Sequence, residues 1–148
     1  MARDLPQAVL FACGHNAVRS PMAAGLMRHF YGHRVHVASC GVHVGELDPF
    51  AIAVMAEIGI DISKHHPTSF DDLTDMMIDL VISLAPEAHH QAIELTRLLP
   101  LEVEYWPMHD PTLVEGTREQ RMEAYREVRD ALMERIRERF PLHSAPVV

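Results

Sequence analysis

The chain has 148 residues, 48% of them hydrophobic, which is enough for one compact domain with a real core (1–148) and too little for two. A formal net charge of −8 and a pI near 5.7 argue against a nucleic-acid surface. No stretch reaches the roughly 18 apolar residues of a membrane span, and residues 1–7 lack a signal-peptide run, so the protein is expected in the cytoplasm and not on a membrane.

In chain order, the apolar run Ala8 to Ala12 predicts a buried strand. Ser20 and Pro21 then predict an N-cap and first helical position, and Gly32 a stop, for a helix burying Met22, Ala23, Leu26, Met27 and Phe30. Val35 to Ala38 predicts a second strand. Asp48-Pro49 opens a helical segment that ends at Gly59. Leu80 to Leu84 predicts a third strand, Ala85-Pro86 a helix to about Leu99, and Leu101 to Tyr105 a weaker fourth strand. From Thr117 to Phe140 the residues Met122, Tyr125, Val128, Leu132, Ile136 and Phe140 recur at helical spacing. The arginines of that helix, Arg126, Arg129, Arg135, Arg137 and Arg139, alternate with Glu127, Glu134 and Glu138, the pattern of a solvated face. Ser144 to Val148 reads as a loose tail.

Short, wholly apolar strands alternating with helices predict an α/β fold, a parallel sheet covered on both faces. Ligands of such sheets collect beyond the carboxyl ends of the strands, where Cys13 to Ser20 falls. A loop that leads from a strand into a helix can gather its N–H groups into a nest, and the helix dipole adds positive charge, so it attracts a tetrahedral oxyanion. Arg19 at its end supplies a planar guanidinium that holds two oxygens at once. The same field favours the thiolate of Cys13, the nucleophilic form. Ser20 can donate a hydroxyl hydrogen bond to that sulfur, and Asn16 in mid-loop suits a left-handed backbone conformation. With only Cys13 and Cys40 in the chain there is neither a disulfide framework nor a cysteine-based zinc site. Adjacent histidines on one element rarely face one point, so His65-His66 and His89-His90 are not read as zinc or nickel ligands, and no metal site is expected.

The strand leading into Cys13-Gly14-His15-Asn16-Ala17-Val18-Arg19-Ser20-Pro21-Met22-Ala23 resembles the signature of the low-molecular-weight protein tyrosine phosphatases. Ser39-Cys40-Gly41, Gly59-Ile60-Asp61-Ile62-Ser63-Lys64-His65 and Trp106-Pro107-Met108-His109-Asp110-Pro111 resemble its further landmarks, in order. The resemblance implies a single-domain, three-layer, flavodoxin-like fold with a four-stranded parallel sheet in the order 2-1-3-4. It implies that Cys13 attacks phosphorus, that Arg19 and the loop from Gly14 through His15, Asn16, Ala17 and Val18 to Ser20 hold the phosphate or a similar oxyanion, and that Asp110 protonates the leaving phenolate. Asn16, Ser20, Ser39 and His65 would hold the loop's shape. The partner would be a phosphorylated protein or a small aryl phosphate, and neither metal nor cofactor is required.

The chain departs from that pattern at named places. His15 stands where the family usually has glycine, Val18 where many members carry a second cysteine, and Thr112 and Leu113 where tyrosines commonly wall the substrate ring. Trp106 is either part of that wall or core. Cys40 is read as a buried structural cysteine. Two other functions compete. A thioredoxin-coupled arsenate reductase shares the loop but needs two further thiols downstream, and no cysteine follows Cys40, so Cys40 or an external thiol would have to stand in for that relay. A binding module would capture phosphorylated partners without turning them over.

Overall fold

The computed structural model describes residues 5–73 and 77–140, so the terminal tail read from Ser144 to Val148 lies outside the described residues. Four parallel strands, β1 (Ala8–Cys13), β2 (His36–Gly41), β3 (Leu80–Ser83) and β4 (Glu102–Tyr105), form one sheet in the order β2-β1-β3-β4. Helices α1 (Arg19–Tyr31), α2 (Pro49–Ala56), α3 (Pro86–Leu95) and α4 (Arg118–Arg139) connect and cover it. Central β1 is buried along its whole length, as a strand covered on both faces must be. Its alternate residues part into two cores. Val9, Phe11 and Cys13 pack with α1, α2 and α4, whereas Leu10 and Ala12 pack with Cys40, Val81 and the Ala88 and Ala92 side of α3. The result is the expected three-layer α/β architecture.

Several boundaries differ from the sequence reading for identifiable reasons. β2 starts one residue later and runs on to Gly41, because its pairing with β1 (Ala12 with Cys40, Cys13 with Gly41) carries small and polar residues that no apolar run announces. α1 is capped at Val18, not Ser20, with no side-chain cap; Ser20 and Pro21 sit inside its first turn, where proline's missing N–H leaves no intrahelical bond unmade. Tyr31 lies in the core, and Phe30 is only half-buried against it. α2 opens on Asp48, whose side chain accepts the Phe50 N–H at 2.8 Å, and the chain turns at Gly59, φ +80°. α3 ends at Leu95 and not near Leu99, the following turn tightening into i to i−3 bonds from Thr96, Arg97 and Leu98. β4, an edge strand, carries Glu102 and Glu104, charges that blunt an open edge and weaken the hydrophobic signal.

The arginines of α4 do not simply face solvent. Arg129 is buried and donates to the Val54 carbonyl at 2.7 Å, Arg126 reaches Glu57, Arg139 reaches Glu104, and Arg135 lies over the Trp106 ring. Arginine's long apolar stem lets one residue cover core surface and still place its charge on a carboxylate. Trp106 itself is core, edge-on to Phe11 and donating from Nε1 to Glu104.

Candidate active site

β1 ends on Cys13, buried at the sheet's carboxyl edge, and the loop 14–18 carries the chain from there into α1. The segment 42–48 runs beside that loop and donates to its carbonyls: Val42 to Cys13, His43 to Gly14, Gly45 to His15 and Asp48 to Ala17, at 2.9 to 3.1 Å. All these peptide bonds are trans, so each carbonyl drawn outward turns the next N–H the opposite way. The N–H groups of Gly14, His15, Asn16 and Val18 are therefore aimed together, and none has an acceptor among the described residues. Such a ring of donors, at the uncapped start of α1, is a ready anion cradle. Gly41 makes the arrangement possible. A Cβ there would lie 2.7 Å from the Asn16 nitrogen and 2.6 Å from the His43 oxygen, so only glycine lets the two segments pass.

Asn16 is fully buried and takes the left-handed backbone, φ 58°. Its Nδ2 donates to Ser20 Oγ at 2.8 Å and Ser39 Oγ at 3.0 Å, while its Oδ1 accepts from the Thr68 N–H at 2.8 Å and meets His65 Nε2 at 2.9 Å. A backbone N–H can only donate, so Thr68 fixes the amide's orientation and requires His65 to carry its proton on Nε2. Burial, aided by the charge of Arg28, holds His65 below the ordinary histidine range. Ser20 Oγ stands 2.9 Å from Cys13 Sγ and 3.2 Å from the Cys40 carbonyl, so its one proton serves the sulfur or that carbonyl.

The loop-supporting residues expected from the sequence thus meet at one point. Thr68, which completes the set and ties back to Ser39 by donating from Oγ1 to its carbonyl at 3.1 Å, had no signal in the sequence because its partner lies 52 residues away.

Arg19 closes the loop, its Nη1 donating to the Met108 carbonyl at 3.0 Å and its Nη2 lying 3.8 Å from Asp110 Oδ2. Asp110 caps a short turn, Pro111–Leu113, accepting on Oδ1 from the Thr112 N–H and hydroxyl at 3.0 and 2.7 Å. Its other oxygen is left facing Arg19. Cys13, His15, Ala17, Arg19, Asp110 and Thr112 line a small mouth of about 60 Å³. His15 is exposed at the rim with an ordinary φ, its ring 5.6 Å from that of His43, so a side chain is accommodated where glycine was the family's norm. Val18 is buried, and Leu113 is exposed beyond the mouth.

Glu87, in the first turn of α3, was not foreseen. A Cβ on Gly14 would lie 2.7 Å from its Oε2, so the bare loop glycine is what leaves room for that carboxylate beside the loop. Cys40 is buried on the opposite face of the sheet from Cys13, and burial pushes its thiol far up from the ordinary range. Side chains on opposite faces cannot approach in disulfide geometry. His65 and His89 each commit one ring nitrogen, to Asn16 and to Ser83 Oγ, and no cluster of three or more metal-ligating side chains is found among the described residues.

Comparison with known proteins places this geometry among relatives. A family model described as low molecular weight phosphotyrosine protein phosphatase matches residues 8–141. The chain is 33% identical over 131 residues to an arsenate reductase of Halalkalibacterium halodurans, covering 87% of this chain and 91% of that protein. Among solved structures it is similar to an arsenate reductase in its phosphate-binding state (30% identity, TM-score 0.74, 89% and 95% of the two chains). In fold alone it is also similar to the tyrosine phosphatase AmsI of Erwinia amylovora (17% identity, TM-score 0.71, 90% and 91%).

Proposed function

The chain belongs to the low molecular weight phosphotyrosine protein phosphatase family, and from that premise we propose that it is a cysteine-dependent phosphomonoester hydrolase acting on aryl phosphates, phosphotyrosine in proteins included. The observation that carries this reading is Asp110, whose Oδ2 faces Arg19 across the mouth that Cys13 shares. A carboxyl group there has a use in ester hydrolysis, where an oxygen leaving group must be protonated.

In the first step the Cys13 thiolate attacks phosphorus; the S–P bond forms as the P–O bond to the phenol breaks, and Asp110 gives its proton to the departing oxygen. In the second, Asp110 as carboxylate takes a proton from water, the water oxygen attacks phosphorus, and the S–P bond breaks to return the thiolate and inorganic phosphate. Arg19 and the converging N–H groups hold the equatorial oxygens, on which charge resides in a loose transition state. The Ser20 hydroxyl, 2.9 Å from the sulfur, stabilises it as thiolate when it leaves.

A second reading is favoured by the arsenate reductases among the relatives. In it, the Cys13 sulfur attacks arsenic as an As–O bond breaks and that oxygen leaves as water; a second thiol then attacks the Cys13 sulfur, so that the S–As pair stays on arsenic and arsenite departs from a new disulfide. Cys40 is buried on the other face, so that thiol has to be external, of the glutathione class, with another equivalent to reduce the mixed disulfide.

The test is a leaving-group panel of aryl phosphates in chelator, beside arsenate with glutathione and glutaredoxin or thioredoxin. We expect metal-free turnover of p-nitrophenyl phosphate, abolished in Cys13→Ser with phosphate binding kept. Asp110→Ala should cut turnover by about 10²–10⁴-fold for poor leaving groups and much less for p-nitrophenolate. Arsenate consumption with untouched aryl phosphates would establish the second reading; binding of phosphopeptides with neither reaction would mean a capture module.

A further inference from the structure

Behind the catalytic loop, α1 and the segment 60–65 border an open, solvent-facing cavity of about 500 Å³, far larger than the mouth and distinct from it. Its floor is apolar, with Ile62 packed close on Gly25. Its walls are basic: Arg28 and His29 come from α1, Lys64 and His65 from the facing segment. The single carboxylate in the lining, Asp61, accepts the Ser63 N–H at 2.8 Å and lies outside ion-pair distance of Lys64, whose charge it feels only weakly. Among the described residues no carboxylate lies within ion-pair distance of Arg28 or Lys64, although α4 pairs three of its arginines with acids and the chain as a whole carries −8. Arg28 donates from Nη2 to the Val37 carbonyl at 2.9 Å and keeps its other donors.

We propose that this cavity binds a small organic polyanion, carrying at least two acidic groups on a carbon skeleton, which bridges Arg28 and Lys64 and acts on the catalytic loop through His65. The floor suits the skeleton, and cations supplied by two separate segments suit two acidic groups. The proposal rests on the reading of the Cys13 loop as the reacting site.

The route inward is short. His65 lines the cavity and donates from Nε2 to Asn16, which in turn holds Ser20 and Ser39, and Ser20 touches Cys13. With Nε2 protonated, neutral His65 keeps a bare Nδ1. An acid group beside Arg28 offsets the charge that disfavours protonation there, the other neighbours being His29, Asp61, Lys64 and His66. Burial, the larger influence on His65, stays in place, so occupancy raises the share of imidazolium, whose bond to Asn16 is charge-assisted and roughly twice as strong. His65 is thus a positioning residue, and occupancy steadies the left-handed turn at Asn16.

Citrate is a suitable probe, with three carboxylates on a short carbon skeleton, and competition with inorganic phosphate reports any binding at the mouth. Calorimetry should show one citrate per chain, bound roughly fivefold more tightly when inorganic phosphate fills the loop, with phosphate gaining the same factor when citrate is bound; kcat/KM for p-nitrophenyl phosphate should rise as well. Lys64→Gln should weaken citrate binding about tenfold, as one lost charged contact implies; it is the variant of choice because Arg28→Gln also loses a main-chain bond. His65→Gln, which keeps an N–H for Asn16, should bind citrate without the rise in kcat/KM. No citrate binding, citrate competing with phosphate, or unchanged affinity in Lys64→Gln would each overturn the proposal. The calorimetry does not depend on turnover, so a protein inactive on aryl phosphates still tests the cavity.

Discussion

Asn16 joins parts of the chain that no local pattern connects. It fixes the loop's one left-handed non-glycine residue, draws Ser20 and Ser39 together through Nδ2, and receives His65 and Thr68 at Oδ1. Replacing it with alanine leaves a half-buried N–H, a ring nitrogen and two hydroxyls short of a partner and keeps a strained φ. Asn16→Ala should therefore lose about 2–4 kcal/mol of stability in denaturant unfolding, together with measurable phosphate affinity; a loss under 1 kcal/mol would mean that the network is dispensable. Cys13, Arg19 and Ser20 were legible because their chemistry needs fixed spacing within one strand-to-helix turn. Ser39 and His65 were legible only through the resemblance, since a serine or one of eleven histidines carries no signal of its own. Thr68 and Glu87 were not legible, as both act through contacts made only when distant segments pack.

Among the elements, α4 departs most from its sequence pattern. Alternating arginine and glutamate reads as a solvated face, yet Arg126 and Arg129 both bond Glu57 just beyond α2, at 2.9 to 3.1 Å, and Arg129 is buried while doing so. Hydrogen bonds from Arg126, then from Arg129, pull the Glu57 carboxyl down to about 2. Folding thus favours the ionised form. The stability this contributes is complete above the ordinary value of 4.5 and fades as pH falls toward about 2, where the folded carboxylate takes up its proton. Glu57→Gln should lower the melting temperature at pH 7 and approach wild type as pH drops through that window; an equal deficit at every pH would assign the effect to packing. Because Glu57 is more than a third exposed, the effect should be modest and should shrink with salt. Helix periodicity located α4 and its core stripe, but the partners of its polar face depend on where α2 packs, which periodicity does not encode.

On the scale of the molecule, the sheet separates the two cysteines. Cys13 belongs to the core shared with α1, α2 and α4, and Cys40 to the core under α3. Oxidation with peroxide or diamide should therefore give a modified Cys13 and no internal Cys13–Cys40 disulfide, read by intact mass before and after alkylation. Cys40→Ala should keep turnover. An internal disulfide at native stability would require the faces to be wrongly assigned. No helix among the described residues is long and apolar enough to cross a membrane. The sequence by itself determined the alternation of strands and helices and the Cys13-to-Ser20 turn, because hydrophobic period, helix stops and a nucleophile beside its arginine are short-range properties of the chain. Only the tertiary structure decided which carbonyls turn the loop's N–H groups inward, which face each thiol occupies and which basic residues share a cavity, because those depend on the register of β1 against β2 and on helices meeting across the sheet.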